Sequence, residues 1–114
     1  HADLWNYEIE ADHWDAIVSI FCHLPPDLRR LVHSRCVQGL RPGGVILLEA
    51  YTPQQLLYKT GGPPSVEMMM DRVSLMGELK GLDFRYLKEL TREIHEGEFH
   101  NGEGAVVQLL ATKP

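Results

Sequence analysis

The chain has 114 residues, 44% of them hydrophobic, and carries 11 basic against 16 acidic side chains, for a formal charge of −5. That length suits one domain, and that apolar content is enough for a core and argues against disorder. A net acidic chain gives no electrostatic case for a nucleic-acid backbone or an anionic membrane surface as partner. No apolar run approaches the roughly 18 residues of a membrane span, and no signal-peptide pattern opens the chain, so a cytoplasmic protein is expected. Cys22 and Cys36 stand in apolar surroundings without paired spacing and read as buried free thiols of a reducing compartment.

His1 to His13 is polar with scattered aromatics, and Trp5 and Tyr7 suit surface packing. Ala16 to Phe21 is a short apolar, β-branched run that reads as a strand buried on both faces. Pro25, Pro26 and Asp27 open a helix, because proline suits the first turn, where an N–H has no partner anyway. Leu28, Leu31, Val32, Cys36 and Leu40 recur at helical spacing and make one apolar face. Arg41-Pro42-Gly43-Gly44 stops the helix, and Val45 to Leu48 is a second apolar strand. Strand, helix and strand at this spacing form a βαβ unit with parallel strands and a right-handed crossover.

Tyr51 to Pro64 is a connecting loop with a short helix at Pro53 to Tyr58 and a turn cluster at Thr60 to Pro64. It suits either a lid over a small substrate or a plain surface connection. Met68, Met69 and Met70 make an adaptable apolar wall rather than a metal site. Asp71 caps a helix to about Lys80, with Val73, Met76 and Leu79 facing inward and Gly81 as the stop. Phe84 to Ile94 alternates partially, with charges between its apolar residues, and Ala105 to Ala111 is denser in apolar residues. The connection between them, His95 to Gly104, is too short for a helical crossover, so the two form an antiparallel hairpin with the second strand central and the first at the edge.

Trp14-Asp15-Ala16-Ile17-Val18-Ser19 is similar to the fourth-strand motif of class I S-adenosylmethionine-dependent methyltransferases. Leu40 to Leu48 is similar to that family's "L-K/R-P-G-G" turn and fifth strand. The tail, from Tyr51-Thr52-Pro53 through Thr60-Gly61-Gly62-Pro63-Pro64 to Glu93-Ile94-His95-Glu96-Gly97, resembles a small bacterial, tellurite-resistance-like subgroup. The resemblance implies an α/β fold: a partial Rossmann-like methyltransferase sheet ordered fourth, fifth, seventh, sixth, ending in an antiparallel hairpin. It implies methyl transfer from S-adenosyl-L-methionine to a small-molecule acceptor. The family's glycine-rich turn after its first strand and the acid after its second are absent. Residues 1–114 therefore read as one domain, the C-terminal part of a methyltransferase domain, with the isolated chain inactive. The alternative is a non-catalytic truncated module. The family's fourth strand pairs with a first strand that is missing here, so the isolated chain is expected to form a homodimer through that exposed edge.

Ligands in open α/β sheets bind at the carboxyl ends of the strands. His23 follows the first strand and suits either a base that takes a proton from the methylated nucleophile or a cap that orients the Pro25-Pro26 turn. Glu49 and Tyr51 alternate along the second strand's end and share a face, where they suit substrate positioning; Glu49 equally suits a pair with Arg29 or Arg92. The resemblance implies that Asp3 and Leu4 meet the adenine and that Ile20, Phe21 and His23 line the cofactor crevice. Asp3 alone also reads as a solvated terminal acid. His95 and His100 crowd the hairpin loop with Glu96, Glu98 and Glu103. A substrate-facing or solvated loop is expected there rather than zinc, because glycine-rich spacing fixes no ligand geometry. Cys22 has no adjacent cationic group in the sequence to make it a nucleophile.

Overall fold

The computed structural model describes residues 1–58, 63, 65–95 and 101–114, without the side chain of Asn101. In chain order it contains β1 (Trp14–Ile20), α1 (Pro26–Gly39), β2 (Leu40–Tyr51), a 3-10 turn at Pro53–Leu57, a second at Val66–Met68, α2 (Arg72–Glu78), β3 (Asp83–His95) and β4 (Asn101–Thr112). The strands make one sheet in the order β1-β2-β4-β3. β1 and β2 are parallel, with Ile17 opposite Ile46 and Ile20 opposite Glu49. β4 runs antiparallel to both neighbours, with Leu48 opposite Leu109 and Leu87 opposite Leu109. This is the order expected from the sequence, with Ala105–Ala111 central and Phe84–Ile94 at the edge.

Local chemistry sets the boundaries. Pro25 is extended (ψ 146°) and Pro26 begins α1, where the missing N–H costs nothing. At the other end the carbonyls of Gln38 and Gly39 accept from the N–H groups of Asp12 and His13, both at 2.9 Å. The segment before β1 thus satisfies helix carbonyls that have no intrahelical donor. The expected turn at 41–44 is extended and continuous with β2. Gly43 has φ 85°, and a Cβ on Gly44 would lie 2.9 Å from the Arg41 carbonyl and 3.1 Å from those of Trp14 and Asp15. The first glycine is needed for its backbone angle and the second for the close approach of β1.

The core lies on one face of the sheet. Ile46, Leu48, Ala50, Val107, Leu109 and Ala111 pack there against Cys36 and Leu40 of the α1 end and against Leu75, Leu79 and Leu82 around α2. α2 departs from the expectation: Val73 is 81% and Met76 49% exposed, while Leu75 and Leu79 are buried. The seven-residue helix is too short to bury both stripes, and the i, i+4 pair wins. The other face of the sheet is largely uncovered at β1. Val18 is 64%, Ile20 44% and Leu47 46% exposed, so β1 is not buried on both faces as its apolar run suggests. No helix among the described residues is long and apolar enough to cross a membrane.

Candidate functional site

The carboxyl ends of β1 and β2 gather Ile20, Phe21, His23, Glu49 and Tyr51. β1 stops because Phe21 enters the left-handed region at φ 48°, a costly angle for an aromatic residue, of order 1–2 kcal/mol. Its N–H still donates to the Glu49 carbonyl at 2.8 Å, and the chain then turns. The turn places His23 so that Nε2 accepts from the backbone N–H of Tyr51 at 2.9 Å. The rings of Phe21 and Tyr51 stack with centroids 4.9 Å apart, and those of His23 and Tyr51 at 5.5 Å. Offset stacking of this kind favours a single rigid arrangement. Tyr51 is fully buried, packed with Met69, Ile94 and Val106, and shapes the rim from beneath.

Glu49 lies on the sheet face opposite the helices, next to Ile20 in the register. Arg92 grips it with two bonds, Nη2 to Oε1 at 2.6 Å and Nε to Oε2 at 2.8 Å, and Gln108 Nε2 adds a third at 2.8 Å. Burial alone would raise the Glu49 carboxyl; these hydrogen bonds and the guanidinium charge outweigh it and hold the group below the ordinary carboxylate range. Of the two arginines the sequence offers, Arg92 is the partner. Beside the pair is a shallow apolar hollow lined by Ile20, Leu47, Tyr86 and Leu110.

The segment after β2 is tied down at both ends. Thr52 N–H donates to the Ala105 carbonyl at 3.0 Å, and Ala105 N–H donates to Gln55 Oε1 at 2.8 Å. Met70 N–H returns to the Tyr51 carbonyl at 2.9 Å. Met69 and Met70 are buried, the apolar wall expected of the methionine run. Behind them, Arg29 donates to the carbonyls of Glu67 and Met69 and clamps Glu78 through Nε and Nη2 at 3.0 and 2.8 Å. His33 Nδ1 lies 2.8 Å from the same carboxylate. Burial would raise Glu78 too, but the bonds from His33 and Arg29 and their charges bring it down. Sequence reasoning missed this cluster. The available signal was Arg29 and His33, four residues apart on the stripe that also carries Leu28, Val32 and Cys36.

The other expected residues that are described have contacts of their own. Asp3 Oδ1 accepts from the Trp5 N–H at 2.9 Å, and Arg35 donates to the carbonyls of Leu4, Trp5 and Tyr7. Residues 3–7 are thus held along the second half of α1. His95 is exposed and 3.3 Å from Glu93. His100, Glu96 and Glu98, like most of Thr60 to Pro64, lie outside the described residues. Among the described residues no group of three or more His, Cys, Asp or Glu side chains is placed to hold a metal. Burial raises the thiol of Cys22 and, with the nearby Cys22 charge, pushes Cys36 up to about 11, which suppresses the nucleophilic thiolate in both.

No family model and no curated protein sequence matches the chain. Its fold matches solved structures over nearly its whole length. An S-adenosylmethionine-dependent methyltransferase from Methanosarcina mazei superposes with a TM-score of 0.69 at 12% identity, covering 98% of this chain and 65% of that one. TehB from Haemophilus influenzae gives 0.68 at 18% identity, over 95% of this chain and 40% of that one. The [4+2]-cyclase SpnF gives 0.62 at 12%, over 99% and 54%. The chain therefore spans between two fifths and two thirds of these proteins. Its structural neighbours are mainly S-adenosylmethionine-dependent methyltransferases, and the likeness at these identities establishes a Rossmann-like, methyltransferase-type α/β fold.

Proposed function

We propose that His1–Pro114 forms the C-terminal part of an S-adenosylmethionine-dependent methyltransferase acting on a small molecule. The observation that carries this reading is the strand order β1-β2-β4-β3 with its antiparallel β4, superposing on such enzymes over 98% of the chain. The residues present fit the cofactor in part. Ile20 to His23, with the strained Phe21 and the ring stack, form one apolar wall at the strand ends, where ligands of such sheets bind. Asp3 and Leu4 remain proposed for the adenine. When bound, the cofactor supplies an already activated methyl group, so the protein's task is alignment and exclusion of water.

In this reading His23 is a positioning residue, because its accepting nitrogen is occupied by Tyr51 N–H. Glu49 and Tyr51 set the shape and charge of the acceptor side, and the segment anchored by Gln55, Met69 and Met70 is its cover. His95, the last residue of β3, and His100 are proposed for the acceptor side. The test compares His1–Pro114 with the full reading frame that contains it. Calorimetry is expected to show cofactor binding, and labelled methyl transfer, in the full reading frame only. The isolated chain offers a few contacts of about 1 kcal/mol each against several kcal/mol of lost motional freedom. A full reading frame that binds no S-adenosylmethionine overturns the proposal.

A further inference from the structure

The chain that precedes β1 runs along α1, and the helix grips it differently from place to place. Asp12 and His13 are held by backbone, their N–H groups donating to the carbonyls of Gln38 and Gly39. Ile9 is held by shape: it packs on Gly39, where a Cβ would collide with Ile9 Cγ2. Residues 3–7 are held by a side chain. Arg35 Nη1 donates to the carbonyls of Tyr7 at 3.0 Å, Leu4 at 3.2 Å and Trp5 at 3.4 Å. The helix under Arg35 is firmly seated. Cys36, the next residue, lies in the core, and His33 Nδ1 is 2.8 Å from Glu78.

Residues 3–7 form a turn built around Asp3. The Asp3 carbonyl accepts from Asn6 N–H at 3.0 Å and Tyr7 N–H at 2.9 Å, and Asp3 Oδ1 accepts from Trp5 N–H at 2.9 Å. The carboxylate is thereby fixed to the turn, with acceptor capacity left for a donor from outside. The carbonyls of the turn meet Arg35. The turn aims the carboxylate, and Arg35 places the turn.

We infer that, with Asp3 and Leu4 against the adenine as proposed above, Arg35 is a positioning residue for recognition of the cofactor's base, acting through Asp3 rather than on the ligand. A carboxylate only accepts hydrogen bonds, so it pairs with the amino group of adenine and opposes the oxo group of hypoxanthine. Exchanging one group for the other loses a bond and sets two acceptors against each other. This discrimination requires the carboxylate at hydrogen-bonding distance, so it falls when the turn is released. Contacts to the ribose or the methionine end are the same for either base.

The test is calorimetry on the full reading frame with two probes, S-adenosylhomocysteine and S-inosylhomocysteine, which differ only in the base. The native protein is expected to prefer the adenine probe by at least about tenfold, the scale of a hydrogen bond to a charged group. Arg35→Met keeps the stem without the donors and is expected to cut that preference at least about threefold. Arg35→Lys, whose ammonium also carries donors, is expected to restore most of it. Asp3→Asn is expected to abolish it, because an amide can donate to the oxo group. In His1–Pro114 itself, Arg35→Met is expected to speed amide exchange at Asn6 and Tyr7 at least about threefold, with little change at Asp12 and His13. Equal loss of affinity for both probes in Arg35→Met, with the preference intact, overturns the inference and leaves the methyltransferase reading standing. Unchanged exchange at Asn6 and Tyr7 overturns it from the chain alone. A full reading frame that binds neither probe overturns the methyltransferase reading and the role of Arg35 with it.

Discussion

The backbone N–H of Tyr51 donates to His23 Nε2 at 2.9 Å, binding the loop after β1 to the last residue of β2. The bond requires the ring to present a lone pair at Nε2, so the neutral ring carries its proton on Nδ1. Tyr51 is fully buried, so its N–H has little access to water as a substitute acceptor. His23→Ala is therefore expected to destabilise the fold by about 1–3 kcal/mol, the scale of a buried donor left unmade. Urea unfolding of the variant measures it. A loss below about 0.5 kcal/mol would show that the N–H finds another partner and that His23 does not hold the rim together.

Glu78 receives Arg29 and His33, and all three side chains are less than a tenth exposed. Removing the carboxylate strands a guanidinium away from water. Glu78→Ala is expected to cost about 3–5 kcal/mol, against about 1 kcal/mol or less for breaking the exposed Asp27–Arg30 pair with Asp27→Ala. Because Arg29 also holds the carbonyls of Glu67 and Met69, hydrogen exchange in residues 65–71 is expected to accelerate in the Glu78 variant before global unfolding. Protection unchanged in that segment would separate the clamp from the cover.

Acid should loosen the fold through the same carboxylates. Glu49 and Glu78 both sit below their ordinary value of 4.5 when folded. The unfolded chain then binds more protons in the window below that value, so their contribution is fully present above it and is lost as pH falls through the folded values. Unfolding midpoints measured from about pH 7 to about pH 3 should fall steeply only on the acid side. Glu49→Gln should flatten that fall, since the amide keeps one acceptor for Arg92 without titrating. An equal slope in the variant would remove Glu49 from the effect.

The sheet order was legible because it rests on chain length. Ten residues between Ile94 and Ala105 leave no room for a helical crossover, so β3 and β4 had to be antiparallel neighbours. The start of α1 was legible from Pro25-Pro26, whereas Pro42-Gly43-Gly44, read as a turn, lies within β2. What stayed hidden depends on what lies above a surface. Ala16–Ile20 reads the same whether one face or both are covered, and here Val18 and Ile20 face outward. In α2, residues 73, 75, 76 and 79 admit two apolar stripes, and only the position of Leu82 and the α1 end selects Leu75 and Leu79. The partnership of Arg29 with Glu78 crosses 49 positions, and no local pattern carries it. The adenine role of Asp3 rests on resemblance, and the contacts of Arg35 with the carbonyls of Leu4 and Tyr7, 31 and 28 positions away, carry no local signal.

Gly104 offers a sharper test of how tightly the rim is built. It pairs with Arg92 across β3–β4 and precedes Ala105, whose N–H holds Gln55. A Cβ there would lie 2.5 Å from Ile94 Cδ1, 3.1 Å from Tyr51 Cε1 and 3.2 Å from Gln55 Oε1. Two effects oppose. Alanine restricts the unfolded chain and would stabilise by about 0.4–1 kcal/mol where it fits. Overpacking costs about 1–3 kcal/mol. The methyl of Ile94 could normally swing away, but Ile94 is 1% exposed and enclosed by Tyr51, Met69 and Val106. The steric cost should therefore prevail, and Gly104→Ala is expected to lose about 1–2 kcal/mol net. Because the displaced atom is Ile94 Cδ1, Ile94→Val should relieve it. Ile94→Val alone costs about 0.5–1.5 kcal/mol, yet the double variant should be more stable than the sum of the two losses predicts. Strict additivity in a urea-unfolding cycle would show that the clash falls on the Tyr51 ring or on Gln55, and that the rim itself gives way.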